Sequence, residues 1–306
     1  MPNLPVSHSE ERFIDAGNLR FCYDSFGDAA DPPLVLIMGL AAQLVLWDDD
    51  FCALLAAQGR YVVRFDNRDI GRSSYLDHLP TPNLTLGFLA QFLRRKYSAP
   101  YTLVDMARDT IAFIDALGLD KVDVVGASMG GAIVQELAIL TPERFRTITM
   151  IMASSGDPNL ALPTIAAFRA LMAKPPRDKE AYLTYYATFW TALSGRGYAI
   201  DPARTRHQGE LCYERGNHPA GAARQFGAIL ASGNRKSKLR GVRSRTLVIH
   251  GLSDPLIPPS HGRDLAHTVP GATLKLIEGM GHALPEKCWP DIVAAIGAHA
   301  PVPTTA

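Results

Sequence analysis

Residues 121–138 read Lys121-Val-Asp-Val-Val-Gly126-Ala-Ser128-Met-Gly130-Gly131-Ala-Ile-Val-Gln-Glu-Leu-Ala138. The first five residues are typical of a buried parallel strand, and the stretch from Ala132 has a helical pattern. Between them lies Gly-x-Ser-x-Gly in a strand–turn–helix context. The sharp turn imposes strained backbone angles on Ser128, and the flanking glycines remove side chains that would clash. The stretch therefore predicts an exposed serine nucleophile above a sheet.

The helix that follows Ser128 would also help this turn to stabilise negative charge. Its first N–H groups point to the space beside the serine, where they and the helix dipole would stabilise a developing oxyanion. The Gly-x-Ser-x-Gly motif alone does not establish a nucleophile, because a glycine-rich turn can also contain a serine without a catalytic role. The surrounding strand and helix are what favour a catalytic role.

Short apolar runs alternate with amphipathic stretches along the chain, which is typical of a mainly parallel sheet flanked by helices. Eight strands are predicted: Glu11–Asp15, Leu19–Tyr23, Leu34–Met38, Tyr61–Phe65, Lys121–Val125, Thr147–Ala153, Thr246–His250 and Thr273–Ile277. The helices predicted around them are Asp49–Ala57, Leu103–Leu117, Met129–Leu140, Ser260–Val269 and Pro290–Ala298. These elements predict an α/β core made of residues 1–156 and 239–306.

Two regions depart from this alternation. Residues 157–238 contain no strand-like run but have helical patterns at Leu162–Met172, Lys179–Leu193 and Ala220–Ala231, which predict a helical cap inserted after the sixth strand. Residues 75–100 form a long connection of the kind that often acts as a lid. We therefore expect residues 75–100 to be a second lid segment within the core.

The charge, the apolar runs and the cysteines of the chain indicate which kinds of partner and cellular environment to expect. The net charge of +1 and the short basic run Arg94-Arg95-Lys96 give no reason to expect nucleic-acid binding. The apolar runs are too short for a transmembrane helix, and residues 1–12 have no signal-peptide core. The four cysteines are scattered, which predicts reduced thiols and neither a metal site nor a disulfide framework. We expect a cytoplasmic protein, either monomer or homodimer, with a small-molecule substrate.

A serine nucleophile needs a base whose pKa lies near the working pH. Of nine histidines, His282 stands in Gly279-Met-Gly-His282-Ala-Leu-Pro285, just after the last predicted strand. An acid should hold its imidazole tautomer, and Asp254 follows the strand Thr246–His250. Asp157 is the alternative acid because it also follows a strand end, but we favour Asp254 because His282 comes shortly after it and Asp157 begins the predicted cap. Ser128, Asp254 and His282 are therefore the predicted catalytic residues.

Five motifs together resemble the α/β-hydrolase superfamily over residues 12–156 and 240–300. They are Met38-Gly-Leu, Asp66-Asn-Arg-Asp-Ile-Gly-Arg-Ser73, Gly126-Ala-Ser-Met-Gly130, His250-Gly-Leu-Ser-Asp254 and Gly281-His282. The resemblance implies an oxyanion hole made of the backbone N–H groups of Leu40 and Met129, with no metal or organic cofactor. Met38 departs from the usual histidine, so the loop must find other support. Asp66, Arg68 and Arg72 are expected to brace neighbouring loops.

Within that superfamily, the combination of Met38-Gly, Trp47-Asp-Asp and the His282 loop is similar to aclacinomycin methylesterases and related bacterial carboxylesterases. This implies a serine carboxylesterase that hydrolyses small to medium apolar carboxylic esters through an acyl-enzyme. A carbon–carbon bond hydrolase, a lactonase and a cofactor-free perhydrolase or haloperoxidase would use the same triad. A non-catalytic ligand-binding protein on the same fold is the alternative from another class.

Aromatic and apolar side chains of residues 75–100 and of the predicted cap, residues 157–238, are candidates for the substrate-binding surface. They are Phe88, Phe92, Phe168, Met172, Tyr186 and Trp190. The alternative for the predicted cap is that these side chains form its own core. For residues 75–100, a helical stripe that includes Phe88 and Phe92 could instead form a subunit interface or rest on a membrane surface.

Overall fold

An eight-stranded sheet runs through residues 6–302, the part of the chain that the computed structural model describes. Its strands are β1 (Arg12–Ala16), β2 (Leu19–Phe26), β3 (Pro33–Ile37), β4 (Tyr61–Phe65), β5 (Val122–Ala127), β6 (Phe145–Ile151), β7 (Arg245–Gly251) and β8 (Thr273–Ile277). The spatial order is β1-β2-β4-β3-β5-β6-β7-β8, and only the pairs β1–β2 and β2–β4 are antiparallel. The predicted mainly parallel sheet is confirmed; residues 1–5 and 303–306 of the predicted core lie outside the described residues.

Eleven α-helices accompany this sheet within residues 6–302. They are α1 (Asp49–Ala56), α2 (Leu84–Phe92), α3 (Leu103–Ala116), α4 (Met129–Leu140), α5 (Ile165–Met172), α6 (Lys179–Leu193), α7 (Pro202–Glu214), α8 (Pro219–Ser232), α9 (Lys236–Leu239), α10 (Ser260–Thr268) and α11 (Trp289–His299). None of them is long and apolar enough to cross a bilayer. Helices α5–α9 all lie between β6 and β7, where the sequence predicts the helical insertion.

The central strands are covered on both faces, which explains why they read as continuous apolar runs. Val35 and Ile37 of β3 belong to one buried hydrophobic cluster, and Leu34 and Leu36, which point to the opposite face of the sheet, belong to a second cluster. All four side chains are at most 1% exposed, and burial of each contributes roughly 1.5–3 kcal/mol to stability. Burial extends to the carboxyl ends of β5 and β7, and it includes Ile277 at the end of the edge strand β8. The candidate site is built from these three strand ends.

A buried ion pair fastens the helical insertion to the loop that follows β4. Arg224 on α8 donates from Nη2 to Oδ1 of Asp69 at 2.7 Å and from Nε to Oδ2 at 2.9 Å. Burial alone would raise the pKa of Asp69, but hydrogen bonds from Arg224, the N–H of Leu76 and the hydroxyl of Tyr101 lower it. The carboxylate is therefore held ionised, and α8 has a fixed position relative to the sheet.

Candidate active site

Ser128 occupies the sharp turn between β5 and α4, with φ 54° and ψ −117°. Because few residues with a Cβ adopt a positive φ, the turn must be held by its surroundings. A Cβ on Gly126 would lie 2.3 Å from the carbonyl oxygen of Gly130, and one on Gly130 would lie 2.1 Å from that of Ile37. Glycine is thus required on both sides of the serine, as the sequence predicts.

His282 reaches Ser128 from the loop that follows β8. Its Nε2 lies 2.9 Å from Oγ of Ser128, and its Nδ1 lies 2.8 Å from Oδ2 of Asp254. The backbone N–H of His282 donates to the carbonyl oxygen of Leu193 at 2.7 Å, which ties this loop to the end of α6. The three residues proposed from the sequence therefore form one continuous hydrogen-bonded chain.

Asp254 is held by the backbone of its own turn after β7. Its Oδ1 accepts hydrogen bonds from the N–H groups of Leu256, at 2.9 Å, and Ile257, at 2.8 Å, which leaves Oδ2 for His282. The alternative acid Asp157 lies elsewhere, with Oδ2 3.0 Å from Nζ of Lys236. Of the two carboxylates weighed from the sequence, only Asp254 contacts the imidazole.

A second histidine lies beneath the acid. Nε2 of His250, at the end of β7, donates to the carbonyl oxygen of Ile257 at 2.7 Å and lies 3.6 Å from Oδ2 of Asp254. Burial lowers the pKa of His250, so its ring stays neutral near neutral pH. A neutral N–H donor at this point supports the Asp254 turn without competing for the proton carried by His282.

The loop after β3 lies directly against the serine. A Cβ on Gly39 would be 3.1 Å from Cβ of Ser128, so only glycine allows this close approach. Within residues 6–302, no group accepts a hydrogen bond from the backbone N–H of Leu40 or Met129. Two unpaired N–H donors that flank a nucleophile are suited to bind an oxyanion.

Three amide contacts support this loop where Met38 replaces the usual histidine. Oε1 of Gln225 accepts from the N–H of Ala41 at 2.9 Å, and Nε2 of Gln225 donates to the carbonyl oxygen of Arg68 at 2.7 Å. Asn67 donates from Nδ2 to the carbonyl oxygen of Met38 at 3.0 Å. Gln225 is fully buried on α8, and its role was not predicted from the sequence. Its only sequence signal is that Arg224 and Gln225 are two adjacent polar residues within an otherwise apolar helical stretch.

The residues expected to brace the neighbouring loops make such contacts. Asp66 is fully buried and accepts hydrogen bonds from the N–H groups of Leu44, at 2.7 Å, and Arg72, at 2.9 Å. Arg68 donates to the carboxylate of Asp109 from two nitrogens. The Asp66 bonds join the loops after β3 and β4, and the Arg68 bonds fasten the loop after β4 to α3.

The substrate-binding candidates on α2 and α5 divide into packed and exposed side chains. The ring of Phe88 packs edge-on against Phe168, with centroids 5.7 Å apart, and against Phe226 of α8, at 5.5 Å. Phe92 is 84% exposed, and Met172 on α5 is also exposed. Phe88 and Phe168 therefore lie where α2 meets the insertion, whereas Phe92 points into solvent.

Tyr186 and Trp190 of α6 lie in a different part of the insertion. Tyr186 is buried in a cluster that joins α6 to Cys212 of α7, as expected for the insertion's own core. Trp190 packs against this cluster and lines a cavity of about 410 Å³ that also touches Ala283, the residue after His282. Of the two, Trp190 is the one that faces an open space beside the His282 loop.

The chain belongs to the family described as the alpha/beta hydrolase fold, whose model matches residues 32–195. It is 31% identical to the rhodomycin D methylesterase DauP of Streptomyces sp. strain C5, over 94% of this chain and 97% of that protein. It is 26% identical to 3-oxoadipate enol-lactonase 2 of Acinetobacter baylyi, over 90% and 91% of the two chains. The protein is therefore a hydrolase of this family.

Solved structures show the same fold. The 2-hydroxy-6-oxo-6-phenylhexa-2,4-dienoate hydrolase of Rhodococcus sp. strain RHA1 superposes with a TM-score of 0.74 and 21% sequence identity. The match covers 96% of this chain and 99% of that chain. With the family match over residues 32–195 and the 31% identity to the methylesterase, the predicted membership of the α/β-hydrolase superfamily is confirmed.

Proposed function

We propose that this chain is a serine carboxylesterase that hydrolyses small to medium apolar carboxylic esters through an acyl-enzyme. The observation that carries the proposal is the continuous hydrogen-bonded chain from Asp254 through His282 to Oγ of Ser128. A serine in a strained turn, a base and an orienting acid are the parts that nucleophilic acyl transfer needs.

In the proposed reaction, Oγ of Ser128 attacks the ester carbonyl carbon while Nε2 of His282 takes its proton. The backbone N–H groups of Leu40 and Met129 stabilise the oxyanion of the tetrahedral intermediate. The intermediate collapses as His282 gives its proton to the leaving alcohol, and water then attacks the acyl-enzyme by the same steps. Asp254 stabilises the imidazolium that forms in each half-reaction.

An ester substrate is favoured by the similarity to a rhodomycin D methylesterase over almost the whole chain. The weaker similarity to an enol-lactonase makes a lactone, a cyclic ester, the second candidate. Both substrates would pass through the same acyl-enzyme at Ser128. The size and shape of the space above Ser128 would then select between them.

We further propose that residues 157–238 act as a cap and residues 75–100 as a lid over Ser128. The edge-on contacts of Phe88 with Phe168 and Phe226 join these two segments. In this proposal Phe88, Phe168 and Trp190 would contact an apolar acyl or aryl group of the substrate. Tyr186 would support them from the core of the insertion, and the exposed Phe92 and Met172 would lie at the rim.

A substrate panel tests the proposed activity. We expect turnover of p-nitrophenyl esters, with kcat/KM highest for short and medium acyl chains and with methyl esters of aryl acids also accepted. Enol-lactone or dienone substrates should give kcat/KM values at least about tenfold lower. Faster turnover of a lactone or a dienone than of every ester in the panel would show that the esterase assignment is wrong.

Gln225 provides a test of the oxyanion loop. Gln225→Leu removes the acceptor for the N–H of Ala41, so the neighbouring N–H of Leu40 should lose its position. We expect kcat to fall about 10- to 100-fold with KM changed less than about threefold, since loss of a whole oxyanion donor costs about 10²- to 10³-fold.

The matched control is Gln58→Leu, at an exposed position in the turn that follows α1, which should keep wild-type kinetics. A kcat of Gln225→Leu within about twofold of wild type, or a change confined to KM, would show that Gln225 does not position the loop.

A further inference from the structure

Large apolar side chains are concentrated on one part of the described surface. Eight of the twelve exposed large apolar side chains lie on α2, just after it, or on α5 and the segment that leads into it. Three of them, Phe92, Leu162 and Ile165, are 84%, 82% and 72% exposed. The eight, called the apolar patch below, are Leu86, Leu89, Phe92, Leu93, Leu162, Ile165, Phe168 and Met172. An apolar patch of this kind usually marks an interaction surface.

The two helices that carry the patch adjoin each other. The ring of Phe168, a member of the patch, packs against Phe88 of α2. Beyond the end of α2, Nη2 of Arg94 donates to Oδ1 of Asn159 at 2.8 Å. Ile165, Phe168 and Met172 lie three and four residues apart on one face of α5, and Leu86, Leu89 and Leu93, the residue that caps α2, have the same spacing. The apolar faces of α2 and α5 thus form one surface.

The charge around the apolar patch has a single sign. Residues 78–104 and 158–177 contain no aspartate or glutamate, although the whole chain has a net charge of only +1. They contain six exposed basic residues: Arg94, Arg95, Lys96, Arg169, Lys174 and Arg177. Of the four carboxylates that border these ranges, Asp77 pairs with Arg224, Asp105 with Arg108 and Asp157 with Lys236. The fourth, Asp178, caps α6 by accepting a hydrogen bond from the N–H of Ala181. The patch is therefore apolar in its centre and cationic at its margin.

We propose that the apolar patch rests on the surface of an anionic lipid bilayer. Apolar side chains inserted at the headgroup level, with cations at the phosphates, are the two contributions that bind a protein to such a surface. A second copy of this chain fits less well, because symmetric docking of the patch would bring two sets of six cations together. The proposal does not depend on the catalytic roles of Ser128, Asp254 or His282.

Vesicle co-sedimentation of the full-length protein tests the proposal. We expect at least about tenfold stronger binding to vesicles of phosphatidylcholine with a quarter phosphatidylglycerol than to pure phosphatidylcholine, and loss of binding in 0.5 M NaCl. Leu89→Glu/Leu162→Glu should weaken binding at least about tenfold. Arg94→Gln/Arg95→Gln/Lys96→Gln should weaken it by a similar factor on anionic vesicles only.

The matched control is Phe13→Glu/Leu140→Glu, which changes two exposed apolar side chains outside the patch and should bind like wild type. Circular dichroism and the melting temperature check that every variant is folded. Absence of wild-type binding to anionic vesicles would overturn the proposal. So would equal binding of the two double-glutamate variants, or a wild-type dimer in light scattering that Leu89→Glu/Leu162→Glu dissociates without any change in vesicle binding.

Discussion

Ser128→Ala and His282→Ala are each expected to lower kcat for p-nitrophenyl ester hydrolysis by about 10⁴-fold or more. Alanine removes the Oγ that forms the acyl bond in the first variant, and the base that accepts its proton in the second. Because the two groups act as one unit, the double variant should be scarcely slower than either single variant. Steady-state kinetics of the three proteins would measure this.

Neither substitution should unfold the protein. Ser128 lies at a turn that surrounding glycines and packed strands hold in place, and the His282 backbone remains bonded to Leu193. Ser237→Ala and His267→Ala, at exposed positions, are matched controls that should keep wild-type rates. Retention of a tenth of the activity by folded Ser128→Ala or His282→Ala would reject the proposed triad.

Asp254→Asn is expected to reduce kcat by a similar factor of about 10⁴. The Asn amide would present an N–H to Nδ1 of His282 and favour the tautomer that cannot accept the serine proton. Its oxygen can still accept from the N–H groups of Leu256 and Ile257, so the turn should keep its shape. The loss would then report on proton chemistry rather than on folding.

Asp157→Asn is the matched control for that experiment. Asp157 pairs with Lys236 and has no contact with His282, so its substitution should leave kcat within about twofold of wild type. A near-normal rate for Asp254→Asn together with an inactive Asp157→Asn would assign the acid to Asp157. That pattern would contradict the geometry on which the mechanism depends.

The sheet and the three proposed catalytic residues follow from local patterns. Each central strand is an apolar run covered on both faces, and Ser128 and Asp254 come shortly after two such strands. His282 comes shortly after the half-buried edge strand β8. Parallel strands place their carboxyl ends at one edge, so chain order alone brings these residues together. The positions of β1–β8 agree with the predicted strands to within a few residues.

Other features depend on contacts between distant parts of the chain. Helix α7 was not predicted, because it is polar on most sides and buries only Thr205, Gly209 and Cys212. Gln225 supports a loop 184 residues earlier, and nothing in its neighbourhood indicates that partner. The apolar stripe of α2 was expected to be covered along its length, but only Phe88 packs against Phe168 and Phe226, and Phe92, one turn further at the end of the helix, is exposed.

The most direct test of the proposed serine mechanism is covalent labelling with a fluorophosphonate, followed by peptide mass spectrometry. Such a reagent reacts with a serine that is activated by a neighbouring base. We predict one label per chain, on Ser128, with no label on Ser128→Ala and labelling slowed at least about 10³-fold in His282→Ala. Ester turnover by a wild-type protein that stays unlabelled, or a stoichiometric label on another serine, would contradict the proposed role of Ser128 as the nucleophile.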